Sequence, residues 1–384
     1  MKKLLSAAAD AGDVPIDVIC GILSYLPVKS VLRFRCVSKS WYSLINDSHF
    51  KKLHLLRSHD QVLILQLQCS DKYYSFYGGP FFDELISGES TQMESLFTPI
   101  PNPPICNRTK VLAACDGLLL VRNCDNYGQL TLLNPSTRER RSLQDVKYCD
   151  FTPNGSFYDL GYDSSTDDYK VLLRQTFFRS DRKPWQEINI LSVKTNCWRK
   201  FNYVGVFGER KNAVNLNGSL NWVHMHCCTP EQVSKGKFKT AKIVSFSLAN
   251  ETITEMEHPC YYNDFTLLDL GVLQGCLCLA VAEGRTPSFT IWLMKEFGAT
   301  SSWTKVITIP RLGGISVRGV TLLPFNYMNK TIFLIESYSG VGADLLILND
   351  LEAEEDYKIV KITNFPRHYL PHLVTFSRSL ISPN

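Results

Sequence analysis

The spacing of apolar residues changes once along the chain. From Pro15 to about Arg57 it is helical: Ile16, Ile19, Ile22, Leu23 and Leu26 recur at three- and four-residue steps and line one face of an α-helix. Pro27 ends that stretch. A second helix fits about Val28–Val37, with Val28, Val31, Leu32, Cys36 and Val37 apolar and Lys29, Arg33 and Arg35 outward. Ser38 is the N-cap expected for a third, carrying Trp41, Leu44 and Ile45 on one face, and Asp47 or Ser48 for a fourth with Phe50, Leu53 and Leu56. About 45 residues of short helices make too small a core to stand alone, so the unit is expected to dock on something.

After Asp60 the period becomes two, and short strand-like runs alternate with turn signals to the end. One pattern recurs: a strand, a polar turn and a second strand, with turn centres near residues 137, 195, 250, 299 and 352. Between these lie further hairpins, Tyr158–Tyr162 with Tyr169–Leu173, Ala213–Leu216 with Ser219–Val223, and Leu267–Leu273 with Cys276–Val281. Each unit is four strands in about 54 residues. The pattern predicts an all-β domain, a six-bladed β-propeller, with an irregular β-sandwich as the alternative. Val62–Gln68 and Tyr73–Tyr77 supply two strands of the sixth blade, and His372–Ser379 from the far end completes it. Gly78 to Pro104, rich in Gly and Pro, reads as a loop that breaks the period.

Composition narrows the function classes. The surplus of basic residues belongs to the helical part: residues 1–60 carry nine Lys/Arg against five Asp/Glu, and the other 324 residues carry 32 of each. A neutral main body argues against a nucleic-acid binder, and the few cations of the helical part are too few for DNA. Aromatic residues at 11 % suit β structure. The apolar run Leu4–Ala9 is too short for a signal peptide, and no window holds about 18 uninterrupted apolar residues, so no leader and no membrane span are expected. Thirteen cysteines, an odd number scattered through apolar runs, suit a reducing compartment, cytosol or nucleus.

Two resemblances follow from particular residues. Val14-Pro15-Ile16-Asp17-Val18-Ile19, then Ile22-Leu23-Ser24-Tyr25-Leu26-Pro27-Val28-Lys29-Ser30, Leu32 to Trp41 and Leu44-Ile45 resemble an F-box over residues 12–56. Gly21 and Tyr25 stand where the family commonly has an acidic and a basic residue. Residues 61–384 resemble the F-box-associated domain of plant F-box proteins, a degenerate kelch-like propeller. The supporting runs include Cys115-Asp116-Gly117-Leu118-Leu119, Leu133-Asn134-Pro135-Ser136-Thr137-Arg138, Asn217 to Trp222, and Leu273-Gln274-Gly275-Cys276-Leu277. The paired glycines of ordinary kelch repeats are missing. The resemblance implies a substrate receptor of a Skp–cullin–F-box ubiquitin ligase, of the kind that includes S-locus and immune-regulating receptors. The F-box would dock on a Skp-type adaptor and through it a cullin, and the propeller would hold the protein to be ubiquitinated. Such a receptor is no enzyme and needs no cofactor. It raises the effective concentration of substrate lysines near a charged enzyme held elsewhere.

On this reading the adaptor-binding candidates are Pro15, Ile16, Ile19, Leu23, Leu26, Pro27, Val31, Val37 and Trp41, with Arg33, Arg35 and Lys39 as steering charges. For the substrate, Arg179, Arg182, Lys183 and Trp185 combine the cationic and aromatic groups favoured at hot spots, and Val204–Lys211 and His224–Lys237 are comparable segments. Other chemistry has thin support. In a strand His224, His226 and Cys228 would share a face, short of a four-donor zinc site. Asp163, Asp167 and Asp168 read as solvated turn residues, as do Glu352, Glu354, Glu355 and Asp356. Two alternatives remain open: a propeller hydrolase or lyase, and an F-box protein acting outside a ligase.

Overall fold

The prolines start the first two helices: Pro15 stands at the N-cap of α1 (Ile16–Leu23) and Pro27 at that of α2 (Val28–Phe34). The second helix stops three residues short of the expected Val37. Ser38 caps α3 (Lys39–Asn46), its Oγ accepting from the Trp41 N–H at 3.2 Å. Asp47 does the same for α4 (Ser48–Arg57), its Oδ1 accepting from the Phe50 N–H at 3.0 Å. The computed structural model describes residues 14–57, 61–69, 72–78, 90–92, 97–99, 109–123, 129–146, 155–179, 182–201, 213–226, 240–259, 265–283, 288–309, 317–327, 330–337, 343–348, 357–363 and 370–384.

Twenty-five strands follow the helices among those residues. The first four are β1 (Gln61–Cys69), β2 (Lys72–Gly78), β3 (Ser90–Gln92) and β4 (Phe97–Pro99). The first full blade is β5 (Thr109–Cys115), β6 (Leu118–Asn123), β7 (Leu130–Leu133) and β8 (Arg140–Leu143). The second is β9 (Gly155–Asp163), β10 (Asp168–Arg179), β11 (Arg182–Ser192) and β12 (Cys197–Phe201). The third is β13 (Val214–Leu216), β14 (Ser219–His226), β15 (Thr240–Ser247) and β16 (Ile253–Met256). The fourth is β17 (Phe265–Leu273), β18 (Cys276–Glu283), β19 (Phe289–Met294) and β20 (Trp303–Ile309). The fifth is β21 (Val317–Tyr327), β22 (Lys330–Ser337), β23 (Ala343–Leu348) and β24 (Tyr357–Thr363). Last comes β25 (Leu370–Ser377).

These form six sheets, and their inner strands β5, β9, β13, β17, β21 and β25 touch in that order before β25 returns to β5. The domain is therefore a closed six-bladed propeller, not a sandwich. Its last blade takes strands from both ends of the domain, in the order β25-β1-β2-β4, with Gln61 opposite Ser377 and Gln68 opposite Leu370. The segment expected to be a loop departs from that reading. Ser90–Gln92 adds a parallel outer strand to β24, and Phe97–Pro99 is the fourth strand of the closing blade. Its Gly and Pro content hid two edge strands only three residues long, where proline is tolerated.

The second blade is buried on both faces. Val171 and Leu173 join the core shared with the first blade, while Leu172 on the other face packs with Trp222, Val244 and Phe246 of the third. This is the period-two alternation of a strand pressed between two neighbours.

Candidate functional site

An antiparallel blade sends its first and third turns to one end and its second turn and outgoing connection to the other. At the first end lie the tight turns. Asp116-Gly117, Asn217-Gly218 and Gln274-Gly275 each place two successive residues at positive φ, as a two-residue type I′ hairpin requires. Asp167, Arg138, Asn196, Glu251 and Gly298 supply the left-handed residue of longer turns at the same end. Four of these fall within one residue of the turn centres expected from sequence.

The helical unit sits at this end. Lys52 of α4 reaches Asp167 at 2.7 Å, and its ammonium lies 5.5 Å from the centre of the Tyr162 ring. Leu55 packs on the core of the first two blades. The hydrogen bond from the Lys52 ammonium, joined by one from the Tyr162 hydroxyl, holds the Asp167 carboxyl below its ordinary value.

The three aspartates of that turn are joints, and two of them are not solvated. Asp163 is buried and accepts from Lys170 Nζ at 2.9 Å, from the Ser165 hydroxyl and from the Thr166 hydroxyl. Burial raises its pKa, but these bonds together outweigh burial and hold it well below the carboxylate range. Asp168, also buried, accepts from the Ser192 hydroxyl and the Lys194 N–H. Lys170 Nζ also donates to Glu251 at 2.8 Å and to the Leu248 carbonyl at 2.6 Å, which ties the second blade to the third.

Among the adaptor candidates the structure separates two groups. Leu23 and Val31 face the unit's own core with Val28, Ile45 and Phe50, so neither presents a side chain to a partner. Ile16, Ile19, Leu26 and Trp41 are half-buried, and Pro15, Pro27 and Val37 are exposed. Trp41 stands edge-on to Phe34, with ring centroids 5.6 Å apart. Lys29, Arg33 and Lys39 face solvent, whereas Arg35, expected outward, is half-buried.

The adaptor candidates named from sequence leave out an exposed apolar stripe on the other side of α1, and Ile22, expected on the face of Leu23, belongs to that stripe. Val14, Val18, Ile22 and Tyr25 follow at four-, four- and three-residue steps and are exposed, Tyr25 to 71 %. Tyr42 and Leu56 are exposed as well. Of the eight large apolar side chains exposed among the described residues, seven belong to this unit, the eighth being Phe297. α1 is apolar almost all round, so periodicity alone could not say which side turns inward.

The opposite end of the ring carries the substrate candidates. From Asp167 the strand β10 runs twelve residues away from the helices, roughly 35–40 Å. It pairs with β11 as far as Arg179 opposite Arg182, beyond the last pairing with β9 at Thr176. Arg179, Arg182, Lys183 and Trp185 thus lie on the β10–β11 hairpin at this end. Of the other two segments, 204–211 and 227–237 lie outside the described residues. The strands bordering them end at Phe201 and His226, on this same side. The acidic turn at 352–356 also lies outside the described residues. His224 is buried, and among the described residues no group of three His, Cys, Asp or Glu side chains is placed to hold a metal ion.

The family model for the F-box associated beta propeller domain matches residues 82–383, and the F-box domain model matches residues 12–53. The F-box protein CPR1 of Arabidopsis thaliana is 29 % identical over 95 % of this chain and 88 % of its own length. An F-box/kelch-repeat protein of the same plant is 28 % identical over 86 % of this chain and 87 % of its own.

Proposed function

The chain belongs to the F-box proteins that carry an F-box associated beta propeller domain, and on that premise we propose that it is the substrate-recognition subunit of a Skp–cullin–F-box ubiquitin ligase. The observation that carries this reading is the concentration of exposed apolar side chains on a helical unit that buries few of its own. An apolar stripe held in water on one small unit is the mark of a surface that a partner covers. A Skp-type adaptor would cover it along Val14, Val18, Ile22 and Tyr25 together with Pro15, Pro27 and Val37, while Lys29, Arg33 and Lys39 steer an acidic partner.

The target protein would bind at the far end of the ring, where the hairpin carrying Arg179, Arg182, Lys183 and Trp185 stands clear of the adaptor. The chain itself would do no bond chemistry. It would hold a substrate roughly 35–40 Å from the adaptor side, fixed in direction by a rigid ring. Cytosol or nucleus is the compartment in which this activity would be exercised.

The test is capture from a plant extract by the wild-type chain and by Ile22→Asp. Ile22 is 57 % exposed, so the charge meets water and the fold survives. Wild type should bring down adaptor and cullin, and Ile22→Asp should lose both by at least roughly tenfold while keeping its melting curve. Proteins retained by both and accumulating under proteasome block become substrate candidates. Folded wild type that retains neither adaptor nor cullin would end the receptor reading.

A further inference from the structure

Two residues past the last pairing of β25, the chain enters the seam between helices and ring. Ser379 is fully buried, and its hydroxyl donates to the Asp116 carbonyl at 2.7 Å, at the first turn of the first blade. Asn134, also fully buried, donates from Nδ2 to the Ser379 carbonyl at 3.0 Å and to the Ile381 carbonyl at 2.7 Å. Its Oδ1 accepts from the Ser136 N–H at 2.7 Å, so the turn after β7 fixes the amide that grips the segment. Gly117, at φ +81°, lies so close to Ser379 that a Cβ there would collide with it.

The next two side chains part company. Leu380, fully buried, enters the helical core beside Leu23, Val28, Val31, Ile45 and Phe50, whereas Ile381 enters the core of the first two blades. The helical unit has five enclosed apolar side chains of its own, and the sixth comes from the segment that follows the strand closing the ring.

We propose that Ser379–Ile381 is a latch through which closure of the propeller completes the helical core, so that the helices are ordered only on a closed ring. β25 is the inner strand of the closing blade and pairs with β1, the first strand after the helices. Leu380 reaches its site only when that pairing is made. The unit with the exposed apolar stripe is thereby presented in ordered form only by a chain whose ring is complete. The latch itself does not rest on the receptor reading.

Hydrogen exchange on the full chain tests this, with Leu380→Asp, Leu380→Met and Asn134→Ala beside wild type. Leu380→Asp should speed exchange across residues 16–57 by roughly 100-fold or more, the scale of losing one enclosed leucine, while β14 and β18 keep their protection. Leu380→Met should match wild type within a few-fold. Asn134→Ala, which frees the segment and leaves the leucine intact, should fall between, at roughly tenfold. Helices as protected in Leu380→Asp as in wild type would overturn the proposal. Loss of protection in β14 and β18 along with the helices would overturn it equally, because the segment would then be holding the ring.

Discussion

The helical unit and the second blade are stretches of similar length that meet at one turn, and they reach order by opposite means. The blade encloses ten apolar side chains between Tyr158 and Val193, divided between its two faces and matched by neighbours on both sides. The helices enclose five, need Leu380 from elsewhere, and leave seven large apolar side chains in water. A repeat in a closed ring has its partners provided by the fold, so its surface can be polar. The helical unit has one neighbour among the described residues and leaves an apolar stripe exposed, which is the surface the proposed adaptor would cover.

The polar groups sharpen that comparison. In the blade, Arg174 and Asp159 are each 1 % exposed and meet at 2.8 Å, the guanidinium lying 4.6 Å from the Trp222 ring across the blade boundary. Asp159 also accepts from the Ala213 N–H at 2.6 Å, at the entry to the next blade. Asp159→Ala would take the buried carboxylate from beside this guanidinium and cost about 3–5 kcal/mol, read as a lower urea midpoint. It is the largest effect expected of a single polar change. A loss below about 1 kcal/mol would mean that water reaches the pair and that the blade is less closed than its burial implies.

Much of this architecture was legible in the sequence, and what was hidden shares one cause. Four-strand units and their turns are local, so the centres near 137, 195, 250 and 299 fall within one residue of Arg138, Asn196, Glu251 and Gly298. The caps Ser38 and Asp47 are local too. By contrast, Arg174 meeting Trp222, Asn134 gripping Ser379, and Leu380 among the helices each join residues far apart in sequence. No periodicity announces an isolated leucine after a strand. The adaptor face was legible as a segment and not as a surface. Apolar spacing put Ile22 on one face with Leu23, but Leu23 turns inward, as Val31 does, while Ile22 turns out beside Val18.

The next effect down is a pH dependence centred on the blade junction. Burial raises the pKa of Glu251, but hydrogen bonds from Lys170 and Arg199 outweigh it and leave the carboxyl below its ordinary value; Asp163 is depressed more deeply, as described above. Burial lowers the Lys170 pKa, yet its two carboxylate partners leave it raised. Depressed carboxylates contribute stability above their unfolded values, near pH 4, and lose it as pH falls through the folded ones. A raised lysine contributes below its unfolded value and loses that contribution above its folded one. Stability from this cluster should therefore be level from about pH 5 to 10 and fall on the acid side by on the order of 2–3 kcal/mol. Asp163→Asn, uncharged throughout, should remove most of that acid slope. An unchanged slope would place the acid-labile group elsewhere.

The smallest effect belongs to the contact where the two regions meet through charge. Lys52 and Asp167 lie 2.7 Å apart, as close as the buried pair of the second blade, but their side chains are 45 % and 58 % exposed. Distance is matched and environment is not, so the two pairs isolate the effect of solvent. A double-mutant cycle with Lys52→Ala and Asp167→Ala should give a coupling of about 0.2–1 kcal/mol. It should fade toward zero at 1 M salt, where the screening length is about 3 Å. A coupling above about 2 kcal/mol, insensitive to salt, would make this contact a desolvated joint and a second tie between helices and ring. The expected small value leaves the work of fixing the helices on the ring to apolar burial by Leu380 and Leu55.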